Sequence, residues 1–230
     1  MRSDPYRRVP SPRPRVRGAR PTSILLRTPT PGPPGADPLR NTQQLSTQLR
    51  PTDVKRLNRQ WRRRTEGRLA LLVESVTQPY NLGSILRTCA TFGVDRLWLT
   101  GNSADPDDPK VGKTALGTGA KVAHTRTAST ADALSAARGE GFKVVAVELA
   151  AGAVPLHAAP LEPDVCLAVG AEDHGCSPAL LTGADAVTYI PQIGRVGSLN
   201  VAVATAIALA EARRREWASF GPEADAPVGR

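Results

Sequence analysis

From residue 69 onward, short apolar runs alternate with stretches of helical periodicity, and this alternation narrows the folds open to the chain. The spacing predicts strands over 69–73, 94–99, 122–127, 143–148, 165–169 and 186–190. It predicts helices over 82–92 and 130–138, a short one after Ser177 and a long one over 198–217, with 101–109 as a loop rich in Asp and Pro. The strand runs are nearly continuous in aliphatic residues, which suits strands buried on both faces. Strands that alternate with helices build βα units. The expected fold class is α/β, a mainly parallel sheet with helices on both faces.

Open sheets of this kind bind ligands beyond the carboxyl ends of their strands, so the loops that follow strands hold the candidate sites. The first, over 77–87, is a strand-to-helix turn in which Asn81 can cap the helix and Arg87 follows six residues later. Arg87 sits among Leu82, Ile85, Leu86, Cys89 and Phe92, and a guanidinium there needs an anion or acceptors. A structural ion pair would meet that need as well as a catalytic one. The second loop, over 168–178, carries Gly170 and Gly175, which allow close approach of backbone to a ligand, with Glu172 as a polar anchor. Ordinary turn chemistry also explains it. The third, over 190–204, is punctuated by Gly194 and Gly197 before a helix that Ser198 can cap. That helix has no clean polar face, so it is buried or packed against a second protein surface. Asn200 stands out as a polar residue in its first turn.

Charge divides the chain. Residues 1–68 hold 17 Lys and Arg against 4 acids, while the remainder holds 13 against 17. A basic front attached to a mildly acidic globule points to a polyanionic partner, nucleic acid or an anionic membrane, although a solvated basic tail with no specific partner explains it too. Residues 1–51, rich in Pro and Arg, are expected to form a disordered arm, 52–220 the folded domain with its basic N-terminal helix, and 221–230 a disordered tail. Over 53–66, Val54, Leu57 and Trp61 make one apolar stripe. Thr52 can cap this helix and Gly67 can end it. Lys55, Arg56, Arg59, Arg62, Arg63 and Arg64 fill the other faces, so the helix is expected to dock by the stripe and turn its cations toward RNA phosphates, an ordinary solvated face being the alternative. Arg213, Arg214 and Arg215, at the end of the long helix, are expected to extend that cationic surface.

No run is long enough for a membrane span, and the prolines at 5, 10, 12 and 14 argue against a secretory signal or a transit helix. Cys89, Cys166 and Cys176 show no metal-ligand spacing and cannot all pair, which fits a reducing cytoplasm without structural metal.

Taken in order, N-L-G-S-I-L-R-T-C (81–89), V-G-A-E-D-H-G (169–175) and I-P-Q-I-G-R-V-G-S-L-N-V-A-V-A (190–204) resemble the three motifs of the SPOUT superfamily, specifically its TrmH-like RNA ribose methyltransferases. The third is the most diagnostic. The resemblance implies a C-terminal trefoil knot, an exception to the usual avoidance of knots. It implies S-adenosylmethionine held in a cup built from Glu148, Leu149, Val169, Gly170, Gly175, Ile190, Gln192, Gly197, Ser198 and Leu199. Asn81, Arg87, Glu172, Ser198 and Asn200 match the family's functional positions. A homodimer through the 198–217 helix would bring Arg87 of one subunit to the cup of the other.

The family proposal makes the arginine a base toward the ribose 2′-hydroxyl. Orientation of a phosphate and stabilisation of the developing alkoxide are the alternatives, since a guanidinium scarcely loses its proton. The layout, a catalytic domain with little added to it, resembles the tRNA-modifying branch and implies a guanosine of the tRNA D-loop, with ribosomal RNA the second candidate. A catalytically silent RNA-binding protein is the rival from another class, although all five functional positions are intact. Variation around His174 leaves that residue without an assigned role.

Overall fold

The computed structural model describes residues 48–218, and from Leu49 on they belong to one compact unit. The expectations for 1–47 and 219–230 lie outside the described residues. Among the described residues, six α-helices and seven strands follow one another as α1 (Pro51–Arg64), β1 (Leu69–Glu74), α2 (Pro79–Phe92), β2 (Arg96–Thr100), α3 (Pro109–Ala115), β3 (His124–Arg126), α4 (Thr130–Gly139), β4 (Lys143–Val147), β5 (Val154–Pro155), β6 (Val165–Val169), α5 (Pro178–Gly183), β7 (Ala186–Tyr189) and α6 (Val201–Trp217).

The strands form one sheet in the order β3-β2-β1-β6-β4-β7-β5, and every pairing is parallel. β6 pairs with β1 from Leu69 opposite Val165 to Val73 opposite Val169. Both strands are buried along their whole length. Their pleat sends Leu69, Leu71, Val73, Val165, Leu167 and Val169 into a core shared with α2, α3 and α6. Ala70, Leu72, Cys166 and Ala168 enter a second core with α4 and α5. Helices therefore cover both faces, as the unbroken apolar runs predict.

Several boundaries differ from the sequence reading, each for a physical reason. The 101–109 segment is not all loop, because Pro109 opens α3 and the Asp108 side chain caps it by accepting from the Lys110 N–H at 2.7 Å. α1 starts at Pro51 rather than being capped by Thr52, and Thr65 rather than Gly67 follows its last turn. α1 buries no residue, so its apolar stripe does not dock as a whole. It is held at one end, where the Trp61 ring lies 4.9 Å from that of Trp217 and the Trp217 Nε1–H donates to Thr65 Oγ1 at 2.9 Å.

Arg213 and Arg215 do not extend the cationic surface. Arg213 is 4% exposed and donates to the carbonyls of Phe92, Gly93 and Gly67 at 2.9, 2.8 and 2.7 Å, and to Glu216 at 2.8 Å. Its position in α6 points it at the carbonyl end of α2, where it satisfies orphan acceptors. Arg215 donates to the carbonyls of Leu156 and Ala159 and pairs with Glu211. Arg214 is exposed, but a two-pronged pair with Glu211 at 2.6 and 2.7 Å offsets its charge.

Candidate active site

The segments that follow β1, β4, β6 and β7 meet beyond the carboxyl ends of these strands and border a cavity of about 590 Å³, a size typical of small-molecule sites. Glu148, Leu149, Val169, Gly170, Gly175, Ile190, Gln192, Ser198 and Leu199 line it, together with Asn81, Glu172 and Asn200. Gly197 and Arg87 are not among the lining residues. Tyr189, Val201 and Ala204 are, although their sequence context marks them only as strand and helix.

The two glycines of the second loop are required sterically. A Cβ on Gly170 would stand 2.1 Å from the Gly175 carbonyl carbon and oxygen. Gly175 has φ +70°, and its Cβ would meet Glu148 Oε2 at 2.1 Å. Their bare backbone lets Ala171 and Gly175 exchange N–H···O bonds at 3.0 and 3.1 Å, so the chain turns back on itself with Glu172 at the tip. Glu148 closes the base of the turn, accepting from the Cys176 N–H at 2.8 Å and the Leu149 N–H at 2.9 Å.

Glu74 is a residue that sequence reasoning passed over. This acid ends an otherwise apolar strand and is 5% exposed. It accepts from the Ser177 N–H and hydroxyl, both at 2.8 Å, and from the Thr130 hydroxyl. A buried carboxylate needs such donors, and these tie β1 to the starts of α4 and α5. The signal was available in the sequence as one acid after five apolar residues.

Glu172, Asn81 and Asn200, one from each motif, form a single hydrogen-bonded line. The Glu172 carboxylate accepts from the Thr77 N–H at 3.2 Å, the Gln78 N–H at 3.1 Å and Asn81 Nδ2 at 3.0 Å. Asn81 Oδ1 then accepts from Asn200 Nδ2 at 3.0 Å. Asn200 Oδ1 accepts from the Ala202 and Val203 N–H groups at 2.9 and 3.3 Å, which caps α6. The cap is thus Asn200, not Ser198, and α6 begins at Val201. Nor does Asn81 cap α2. Gln78 holds that position without a side-chain bond, which leaves the Asn81 amide for the other two motifs. Partial burial works to raise the Glu172 pKa, but the bonds from Asn81 and the backbone outweigh it and hold the carboxyl below its ordinary value.

Arg87 is exposed on α2, and no carboxylate pairs with it among the described residues, so the structural ion pair is not formed. Lys55, Arg56, Arg59, Arg62 and Arg63 are likewise exposed on α1 without acid partners among the described residues. Asp173 and His174, at the tip of the second loop, face solvent and pair with each other at 2.5 Å. All three cysteines are buried and unpaired. Among the described residues no cluster of three or more His, Cys, Asp or Glu could hold a metal ion, and no helix is long and apolar enough to cross a membrane.

The model of the SpoU rRNA Methylase family matches residues 68–210, well over half of the chain. The 23S rRNA (guanosine-2′-O-)-methyltransferase RlmB of Acinetobacter baylyi is 34% identical over 148 residues, covering 64% of this chain and 60% of its own length. The tRNA (guanosine(18)-2′-O)-methyltransferase of Thermus thermophilus is 34% identical over 155 residues, 66% of this chain and 78% of its own length. A crystal structure of an AdoMet-bound rRNA methyltransferase from Sinorhizobium meliloti aligns with a TM-score of 0.62 at 36% identity, covering 66% of this chain and 57% of that one. The chain therefore spans less than two thirds of the length of several relatives it matches.

Proposed function

The chain belongs to the SpoU methylase family, and from that membership we propose that it transfers a methyl group from S-adenosylmethionine to a ribose 2′-hydroxyl of RNA. The observation that carries this reading is the line from Glu172 through Asn81 to Asn200, which locks three separate loops around one cavity.

The cavity fits the cofactor in kind. Its walls combine glycine backbone and aliphatic Leu149, Ile190 and Leu199, suited to holding adenine by main-chain groups and apolar contact, with Glu148, Glu172 and Asp173 as acidic groups toward a cationic ligand. Bound there, S-adenosylmethionine supplies an electrophilic methyl group. Gly170 and Gly175 let the second loop fold back against Glu148, and Ser198 and Leu199 of the 191–199 loop would border the cofactor. Asn81 and Asn200 hold their loops in register rather than act on the ribose directly.

The guanidinium of Arg87 offers hydrogen-bond donors and no acceptor. It holds the substrate phosphate and stabilises negative charge developing on the ribose oxygen, and positioning supplies much of the remaining rate. Its absence from its own chain's cavity lining supports assembly of the site between two subunits. The homodimer would use α6, whose Val203 and Ile207 are 48% and 39% exposed. The insertion of β6 between β1 and β4, with β7 beyond β4, supports a threaded, knotted C-terminal region.

Transfer RNA is the first substrate to test, since the Thermus tRNA enzyme is covered over 78% of its length. Ribosomal RNA is the second reading, which RlmB favours. The exposed cations of α1 fit either RNA, and three buried free thiols fit a reducing cytoplasm. The protein is to be incubated with methyl-labelled cofactor and unmodified tRNA or ribosomal RNA. Label in nuclease-resistant dinucleotides places the methyl on ribose. Label on a base, or none with either RNA, overturns the proposal. Arg87→Ala is expected to leave cofactor affinity within about twofold and to lower turnover by about a hundredfold or more; equal loss of both makes Arg87 structural.

A further inference from the structure

Arg87 has unassigned neighbours that share its surface. Gly83, one turn before it on the same stripe of α2, lies against α3 so closely that a Cβ there would stand 2.6 Å from the Val111 carbonyl oxygen and 2.8 Å from Thr114 Cβ. Leu86 reaches the turn that follows, 3.7 Å from where a Cβ on Gly119 would be. The second half of α3 and the turn after it therefore pack against the part of α2 that carries Gly83 and Leu86, beside Arg87 in sequence.

That border carries two lysines and almost nothing above it. Lys113 and Lys121 are exposed, and neither has a carboxylate partner among the described residues. Between them the chain reverses through Leu116 at φ +49° and Gly117 at φ +72°, and Leu116 is 64% exposed. A Cβ on Gly112, next to Lys113, or on Gly117, between the two lysines, would meet nothing within 4 Å, so the surface there is open. The turn itself is tied down, with the Thr118 N–H and hydroxyl both bonded to the Ala115 carbonyl at 3.0 and 2.5 Å. The nearby acids, Asp105, Asp107 and Asp108, stand at the opposite end of α3, about 10 Å away over its length.

We propose that this turn is a second RNA-backbone contact, in which Lys113 and Lys121 hold phosphates of the strand whose target nucleotide lies at Arg87. The inference rests on the RNA methyltransferase reading and adds a surface to it. Two unpaired cations flanking an open, glycine-bearing rise complement a chain of regularly spaced anions. The exposed Leu116 can lie against a ribose between them. Point charges of this kind fix register and affinity rather than base identity.

The test uses the full chain and its Lys113→Gln/Lys121→Gln variant, with an unmodified tRNA transcript as probe, binding being measured from about 50 to 200 mM salt. Loss of two single-strand phosphate contacts should flatten the slope of log affinity against log salt by about 1.4, with cofactor affinity and melting temperature unchanged. An unchanged slope alongside normal, Arg87-dependent methylation overturns this contact and leaves the methyltransferase reading standing. A changed slope with weakened cofactor binding assigns the lysines to the fold and overturns it too. Failure of the unsubstituted chain to bind or methylate either RNA removes both.

Discussion

Replacing Asn200 by Asp tests whether the line across the site has a fixed hydrogen-bond direction. The Asn200 oxygen caps α6, so its amide nitrogen must face Asn81, and Asn81 must then present its own nitrogen to Glu172. A helix cap fixes one end and an acceptor-only carboxylate the other. Aspartate is an equally good cap and suits the helix dipole, so α6 should form normally. Its second oxygen, however, would meet Asn81 Oδ1. Rotating the Asn81 amide only moves the oxygen–oxygen contact to Glu172. An unmatched pair of this kind costs about 1–3 kcal/mol, and the lower half of that range applies because Glu172 and Asn200 are exposed. Asn200→Asp should therefore weaken cofactor binding about 5- to 30-fold while the melting temperature moves little. Glu172→Gln alone should cost a similar amount.

Together the two changes let the line run backwards, from the new amide at position 172 through a rotated Asn81 to the new carboxylate at position 200. The Gln78 N–H, bonded to the same carboxylate oxygen as Asn81, would lose its acceptor, so recovery should be partial. The assay is a double-mutant cycle on cofactor affinity by calorimetry, with kcat/KM alongside, and a favourable coupling of about 1 kcal/mol or more is expected. Additive losses, within about 0.5 kcal/mol, would refute the fixed direction, as would wild-type affinity in the Asn200→Asp variant.

Gly170→Ala should abolish cofactor binding and destabilise the protein by more than about 2 kcal/mol, because the new methyl would meet backbone that cannot yield; calorimetry showing normal binding would overturn the steric account. Arg213→Ala should lower the melting temperature by about 10 °C, the result of about 3–5 kcal/mol for orphaning a buried partner, while the RNA salt slope stays unchanged; a flattened slope would return Arg213 to the RNA surface. Glu172, Glu211 (bonded to Arg214) and Asp164 (bonded to Arg68) all titrate below their ordinary values of 4.5, 4.5 and 3.8. Depressed carboxylates contribute stability that is complete above those values and lost as pH falls through the folded ones. Cofactor affinity should hold from neutral down to about pH 4.5 and then fall, and in Glu172→Gln the acid loss of affinity should vanish while the acid loss of stability persists; an unchanged affinity limb would count against Glu172.

What the sequence made legible, and what it hid, follows from which interactions are local. β6 lies where 165–169 predicts it, because five apolar residues buried on both faces leave no competing period. α3 escaped because the Asp and Pro that read as loop are also a helix start, with Asp108 as cap and Pro109 in the first turn. Ser198 and Asn200 are both good caps two residues apart, and nothing local separates them. Asn200 wins because its amide can serve two helix N–H groups and Asn81 at once, a tertiary fact. The Arg213–Arg215 run looked like one cationic patch for the same reason: only the packed neighbours reveal that Arg213 faces the end of α2. Asn81, Glu172 and Asn200 meet in one hydrogen-bonded line, whose order no local pattern reveals.

That packing gives the site a support its motifs do not announce. α2 and α6 both begin at the cavity, where Asn81 meets Asn200, and both are tied at their far ends, where Arg213 holds the Phe92 and Gly93 carbonyls. The two ties are separated by about 20 Å along α6. A helix pinned at one end can pivot about that point, whereas one pinned at both can neither pivot nor slide without breaking a charge-assisted bond at Arg213. The 191–199 loop, every residue of which is exposed, then runs between fixed ends, β7 on one side and the Asn200 cap on the other. It can reshape around a ligand without disturbing the Asn81–Glu172 geometry. The buried arginine therefore serves the site from a distance, by keeping the start of α6 where Asn81 can reach it.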